Sequence, residues 1–200
     1  MQLVLATNNR DKIKEIKYLL EDLPVTILTA DDFLEFPNIE ETGSTLEENA
    51  LLKASGIARF CDLPALADDS GLEVDALEGA PGVYSSRYAG EDVTYEDNNR
   101  KLIAELKDVP HEKRTARFRC VIAIDWNDGT TDTVAGAAEG IITEELSGDK
   151  GFGYDPVFYY PPQKKRFSEM TTAEKNQISH RGLALMEART KIIERLNKKA

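Results

Sequence analysis

Two aspartates stand side by side in Ala67-Asp68-Asp69-Ser70-Gly71, directly after the apolar run Leu63-Pro64-Ala65-Leu66-Ala67. Carboxylates at the end of a buried segment are costly unless a cation or good hydrogen bonds compensate them. A divalent metal with a phosphorylated substrate behind it would do so. Capping of local backbone N–H groups would also do so, without any chemistry. Successive strand side chains point to opposite faces, so Asp68 and Asp69 are expected to have different jobs. One would face the ligand as metal ligand or general base, and its neighbour would fix the loop or orient the first. Their adjacency argues against an aspartyl-nucleophile phosphatase, which spaces its acids so that both share a face.

Groups that suit an anion recur along the chain. Thr7-Asn8-Asn9-Arg10-Asp11-Lys12 falls between a strand-like and a helix-like segment. A helix start offers open backbone N–H groups and the positive end of the dipole, both favourable to phosphate. Thr7 and Asn9 add side-chain donors and Lys12 a charge. The turn lacks the glycines of a Walker loop, so an ordinary N-terminal turn is the competing reading. Glu40-Glu41-Thr42-Gly43 either complements a helix dipole or supplies a metal ligand. Lys53 lies at the margin of the apolar stripe Leu46, Ala50, Ala54 and Ile57, where it can snorkel to water or enter a cleft and meet an anion. In Gly151-Phe152-Gly153-Tyr154-Asp155-Pro156, two glycines permit close backbone approach and an exposed Phe152 ring suited to stacking on a purine; the alternative is a glycine-rich loop with core aromatics. Lys175, Ser179, His180 and Arg181 concentrate donors and positive charge, as a solvated face or as partners for carbonyl and phosphate oxygens.

The chain has 200 residues, 36 acids against 25 bases and a net charge of −11. Such a surface repels nucleic acid and anionic lipid, so a nucleic-acid binder is not expected. No run of about 18 apolar residues suggests a membrane span, and the N-terminus does not read as a signal peptide. Cys61 and Cys120 lack metal-ligand spacing and read as two buried thiols of a reduced, cytoplasmic chain. With only His111 and His180, any metal must take oxygen ligands, which favours Mg²⁺ or Mn²⁺.

The positioning elements follow from periodicity and turn chemistry. Strands are expected at Gln2–Ala6, Val25–Leu28, Pro64–Asp68, Leu72–Val74 and Val157–Tyr160. Two longer strands, Ala116–Trp126 and Thr130–Gly140, are joined by the hairpin signal Asn127-Asp128-Gly129. Helices are expected at Asp11–Leu20, from a capping box at Ser44–Glu47 to Phe60, at Thr94–Leu106, after a second box at Thr171–Glu174, and from a Ser179 cap to Asn197. This pattern predicts an α/β class in one folded domain over residues 1–200.

The stretches LATNNRDKIKEI, EETGSTLEENALLKA, ALADDSGLEVDALEGAPGVYSSRYAG, GFGYDPVF and EKNQISHRG, in that order and over nearly the whole chain, resemble the inosine/xanthosine triphosphate pyrophosphatase family. Asn8 departs from the family's usual glycine. The resemblance implies a long mixed β-sheet flanked by helices, with two lobes around a central substrate cleft, assembled as a homodimer. It implies Mg²⁺-dependent hydrolysis of dITP, ITP and XTP to monophosphate and pyrophosphate, with Mn²⁺ as a possible substitute. By matching motif, Asp69 is the general base and a metal ligand, and Glu41 a second metal ligand. The turn Thr7, Asn8, Asn9, Arg10, Asp11 and Lys12, with Lys53 and Ser70, falls on the triphosphate side. Phe152, Gly153, Tyr154, Asp155, Lys175, Ser179, His180 and Arg181 fall on the base and sugar side.

Overall fold

The computed structural model describes residues 1–198. Among them, strands and helices follow in the order β1 (Gln2–Leu5), α1 (Arg10–Leu20), β2 (Thr26–Leu28), α2 (Leu46–Cys61), β3 (Ala65–Val74), α3 (Tyr95–Glu105), β4 (Thr115–Asp125), β5 (Thr131–Ile142), β6 (Phe158–Tyr160), β7 (Lys165–Arg166), α4 (Thr172–Asn176) and α5 (His180–Lys198). The strands form one mixed sheet ordered β2-β1-β3-β4-β5-β6-β7. β1 is parallel to β2 and to β3, with Gln2 opposite Thr26 and Val4 opposite Ala65, whereas β6 is antiparallel to β5 and β7. The expected α/β class with a mixed sheet and flanking helices is therefore what forms.

The chain packs as two compact units. The first comprises Met1–Asp69, Cys120–Gly136 and the residues from Arg181 onward; the second comprises Ser70–Arg119 and Ala137–His180. In the first, Leu3 and Leu5 meet Ile16 and Leu20 of α1, Ile122 of β4, and Leu185 of α5. In the second, Leu72 and Leu102 meet a ring cluster of Phe118, Phe158 and Phe167. Offset and tilted ring pairs of this kind stabilise beyond their buried area.

Local chemistry fixes the helix starts. The Asn9 side chain accepts from the N–H groups of Asp11 and Lys12 at 3.0 and 3.2 Å, so α1 begins immediately after it. α2 is opened by Thr45, whose Oγ1 accepts from Glu48 N–H at 3.1 Å while Glu48 Oε2 accepts from the N–H groups of Ser44 and Thr45. The capping box thus lies one residue beyond the expected Ser44–Glu47, because the run Ser-Thr-Leu-Glu-Glu satisfies the pattern in two registers. The box at Thr171 and Glu174 forms as expected. The stripe of Leu46, Ala50, Ala54 and Ile57 is buried.

β3 corrects a larger expectation. In place of the separate strands Pro64–Asp68 and Leu72–Val74 that the sequence suggests, one strand of 10 residues, Ala65–Val74, spans both. Gly71 within it serves a close approach: a Cβ there would stand 2.4 Å from the Gly82 carbonyl oxygen. Beside it, Leu72 N–H donates to Ser85 Oγ at 2.9 Å, and that hydroxyl donates to Gly82 O at 2.6 Å. The paired aspartates consequently lie mid-strand. Of the two free thiols, Cys120 is buried as expected, whereas Cys61 at the end of α2 is only partly covered. Among the described residues, no helix is long and apolar enough to cross a membrane.

Candidate active site

Alternation along β3 separates the two aspartates into different surroundings. The Asp68 carboxylate has no solvent exposure. Its Oδ2 lies 3.1 Å from Lys12 Nζ on α1 and accepts from Arg181 Nε on α5, also at 3.1 Å. Arg181 Nη1 donates in turn to Glu15 Oε2 at 2.6 Å. Two cations and two carboxylates thus alternate in a row, buried except at the partly exposed Lys12: Lys12, Asp68, Arg181, Glu15. Burial on its own would raise the Asp68 pKa, but Lys12, Arg181 and Lys53 outweigh it and hold the carboxyl far below the usual range. Burial also opposes the Arg181 charge, and Asp68 and Glu15 reverse that effect, so the guanidinium is firmly protonated.

Asp69 is in the opposite situation. Its Oδ1 accepts from Lys53 Nζ at 2.8 Å. The same ammonium donates to Glu41 Oε1 at 2.8 Å and to the Asp68 carbonyl oxygen at 2.9 Å. Here burial wins: it raises the Asp69 pKa above its ordinary value, Lys53 and Lys12 offset it only in part, and Glu41 adds repulsion. A carboxylate made more basic in this way is suited to take a proton from water. For Lys53, burial disfavours the charge, but Asp69, Asp68 and Glu41 together raise its pKa.

Among the described residues, no three His, Cys, Asp or Glu side chains form a group able to hold a metal. What the first unit offers is a pair: Glu41 and Asp69 each lie 2.8 Å from one cationic nitrogen, so both can reach one cation. Two converging hard-oxygen ligands fit Mg²⁺ or Mn²⁺, which retain waters and take phosphate oxygens for their remaining positions. In the turn before α1, Thr7 Oγ1 accepts from Asn9 N–H at 3.2 Å; Asn8 and Arg10 are exposed and Asp11 is half-buried.

In the second unit, Ser70 is half-buried on β3. The loop at Gly151–Asp155 is built around Asp155, whose Oδ2 accepts from Phe152 N–H at 2.9 Å and from Lys175 Nζ at 2.6 Å. Gly151 and Gly153 adopt φ of +72° and +62°, left-handed values that side chains disfavour. Phe152 is half-buried rather than exposed: its ring centroid is 6.0 Å from that of Tyr95 and 4.9 Å from Lys175 Nζ. Tyr154 is buried, with its hydroxyl donating to Ser85 O at 2.9 Å. Ser179 N–H donates to Lys175 O at 2.8 Å, and the His180 ring stacks on Phe118 at 4.6 Å.

The first unit therefore gathers Lys12, Glu41, Lys53, Asp68 and Asp69, and the second gathers Phe152, Asp155 and Lys175. Arg181, placed by resemblance at the base and sugar, has its guanidinium on Asp68 and Glu15 in the first unit. Two supporting residues carried no sequence signal. One is Glu15. The other is Asn99, whose Nδ2 donates to Tyr95 O at 2.9 Å and to Gly153 O at 2.8 Å, tying the glycine loop to α3.

The Ham1 family matches residues 3–191. A relative from Desulforamulus reducens named dITP/XTP pyrophosphatase is 52% identical over 98% of this chain and 97% of its own length. One of the same name from Geobacter sulfurreducens is 51% identical over 92% of each. Among solved structures, a HAM1 protein from Coxiella burnetii superposes with a TM-score of 0.89 at 44% identity, covering 97% of this chain and 99% of its own. The Staphylococcus aureus Ham1 protein gives 0.88 at 38%, covering 98% and 100%. With sequence and fold matched almost from end to end, this chain belongs to the Ham1 family.

Proposed function

We propose that the protein hydrolyses deaminated purine nucleoside triphosphates (dITP, ITP and XTP) to the monophosphate and pyrophosphate, clearing them from the nucleotide pool. Relatives about half identical in sequence bear the name of that activity. The observation that carries the chemistry is Asp69: a buried carboxylate of raised pKa, 2.8 Å from an ammonium that also touches Glu41.

Glu41 and Asp69 would hold Mg²⁺, with Mn²⁺ as substitute. Such an ion, when bound, neutralises phosphate charge and acidifies water. The chain's own groups do the rest. Asp69 takes the proton of the water that attacks the α-phosphorus. Lys12 and Lys53 balance the charge on the departing pyrophosphate, and the N-terminus of α1 with Thr7, Asn8, Asn9, Arg10 and Asp11 receives phosphate oxygens, with Ser70 nearby in sequence. Asp68 orients Lys12 and Arg181 rather than reacting. On the base side, Phe152 supplies a stacking face and Gly153, Tyr154, Asp155, Lys175 and Ser179 shape the pocket. His180 or Arg181 is assigned the donor to the 6-oxo group; Nε and Nη1 of Arg181 already donate to Asp68 and Glu15. Adenine presents an amino group at that position, and a buried donor left without its acceptor costs about 1–3 kcal/mol, roughly ten- to a hundredfold in selectivity.

The test is a substrate panel of dITP, XTP, ATP and GTP with Mg²⁺ and product identification. Pyrophosphate release from dITP and XTP is expected; orthophosphate from the γ position would overturn the assignment. A cytoplasmic homodimer is proposed as the working form. Light scattering at twice the chain mass would support it, and a monomer mass would count against it.

A further inference from the structure

The place where Glu41 and Asp69 converge is already filled by a cation belonging to the chain. Lys53 Nζ has three oxygens around it: Glu41 Oε1 at 2.8 Å, Asp69 Oδ1 at 2.8 Å and the Asp68 carbonyl oxygen at 2.9 Å. An ammonium has three protons, and these three acceptors use all of them. A divalent ion on the same carboxylates needs its oxygens at about 2.0–2.2 Å, closer than an ammonium can draw them, and it repels the ammonium charge. The two cations cannot share the pair.

We propose that Lys53 is a resident counter-ion that closes the Glu41–Asp69 pair until a divalent ion displaces it, and that the displaced ammonium then moves to the phosphate chain of the substrate. The proposal rests on the reading of Glu41 and Asp69 as metal ligands. Lys12 contrasts with Lys53. Its ammonium is 3.1 Å from Asp68 Oδ2 and 3.5 Å from the Asp68 carbonyl oxygen rather than on Glu41 or Asp69, so it can stay where it is when the ion arrives. Lys53 lies outside the buried set of α2, and a flexible four-carbon stem is what would let its ammonium change partners without moving the helix. Metal and polyanion are thereby coupled with a fixed sign. The ion frees a positive charge for the substrate, and a substrate that draws Lys53 away opens the carboxylates to the ion, as reciprocity requires.

The decisive measurements need no turnover. Mn²⁺ binding to nucleotide-free protein, followed by the loss of the free-ion EPR signal, should be about tenfold tighter in Lys53→Met than in wild type, a factor equal to about 1.4 kcal/mol. Glu41→Gln should weaken it. A lysine that merely held phosphate would leave the isotherm unchanged, and a lysine that helped bind the ion would make the variant weaker; either result overturns the proposal. Wild-type crystals soaked in Mn²⁺ without nucleotide give the second readout, which does not depend on how the variant folds. An anomalous peak between Glu41 and Asp69 with Lys53 Nζ withdrawn from Asp69 supports the exchange. An ion bound elsewhere with the Lys53–Asp69 pair intact sinks it. Wild-type product analysis separates the two ideas: pyrophosphate release with an unaltered Lys53→Met isotherm removes only the exchange, whereas orthophosphate release removes the assigned reaction.

Discussion

The adjacent aspartates should respond to the same substitution in opposite ways. Asp68→Asn keeps the shape of the side chain but removes the negative charge between Lys12 and Arg181, each 3.1 Å away, in a position with no solvent exposure. Removing one partner of a buried ion pair costs about 3–5 kcal/mol, since the other charge stays buried. Arg181 keeps Glu15 at 2.6 Å, which sets the expectation at the low end, about 3 kcal/mol. For a chain of this size that lowers the melting midpoint by roughly 6–12 °C. Asp69→Asn removes a carboxylate whose burial already works against its charge, and Lys53 keeps Glu41 and the Asp68 carbonyl. Its stability should stay within about 1 kcal/mol of wild type, while turnover falls roughly 10²- to 10⁴-fold with the loss of the base. Thermal melts by circular dichroism and a pyrophosphate-release assay on both variants make the comparison. An Asp69→Asn protein that melts early, beside an Asp68→Asn protein that melts with wild type, would refute the division of labour along β3.

Other outcomes follow from the same geometry. Asp69 acts only when ionised, so kcat/KM in a pH–rate profile should fall with unit slope on the acid side as its carboxylate takes up a proton. Gly151→Ala puts a Cβ 2.0 Å from Asp155 Oδ2 at a φ of +72°, displacing the partner of Lys175; steady-state kinetics should show KM for dITP raised about tenfold, while Gly153→Ala, with nothing within 4 Å of the new atom, should be milder. Chelation with EDTA should abolish pyrophosphate release, and added Mg²⁺ or Mn²⁺ should restore it without refolding, since nothing in either core depends on the ion.

Features governed by short-range chemistry were legible in the residues. The hairpin at Asn127-Asp128-Gly129 joins β4 and β5 as its turn chemistry requires, with Trp126 N–H donating to Thr130 O at 3.1 Å. The apolar stripe of α2 lies in the core, and Lys53 at its margin points to anions rather than to water. Where two registers satisfied one rule, as at Ser44 and Thr45, the sequence alone could not choose. The continuity of β3 from Ala65 to Val74 was not legible, because a glycine needed for a neighbour's carbonyl, as at Gly71, looks the same in sequence as one needed for a turn. Glu15 and Asn99 were missed for a different reason: their partners Arg181 and Gly153 are 166 and 54 positions away, and no local pattern records a contact at that distance. The candidate site residues come from motifs, which put Arg181 on the base side; a motif carries no sign of the Arg181 contacts with Asp68 and Glu15.

The order in which the first unit is assembled has a consequence for synthesis on the ribosome. β1 and α1 emerge first, but Leu185, Ala188 and Ile192, which close over Leu3 and Leu5, are translated last. The second unit lies wholly within residues 70–180 and can condense while its tether to the nascent N-terminal segment is still open. For the several seconds needed to make more than a hundred residues, Leu3, Leu5 and Ile16 lack their α5 partners, and Glu15 waits for a guanidinium not yet made. Stalled chains ending before Arg181 should therefore present that early segment to proteases and holdase chaperones while the middle of the chain is already protected.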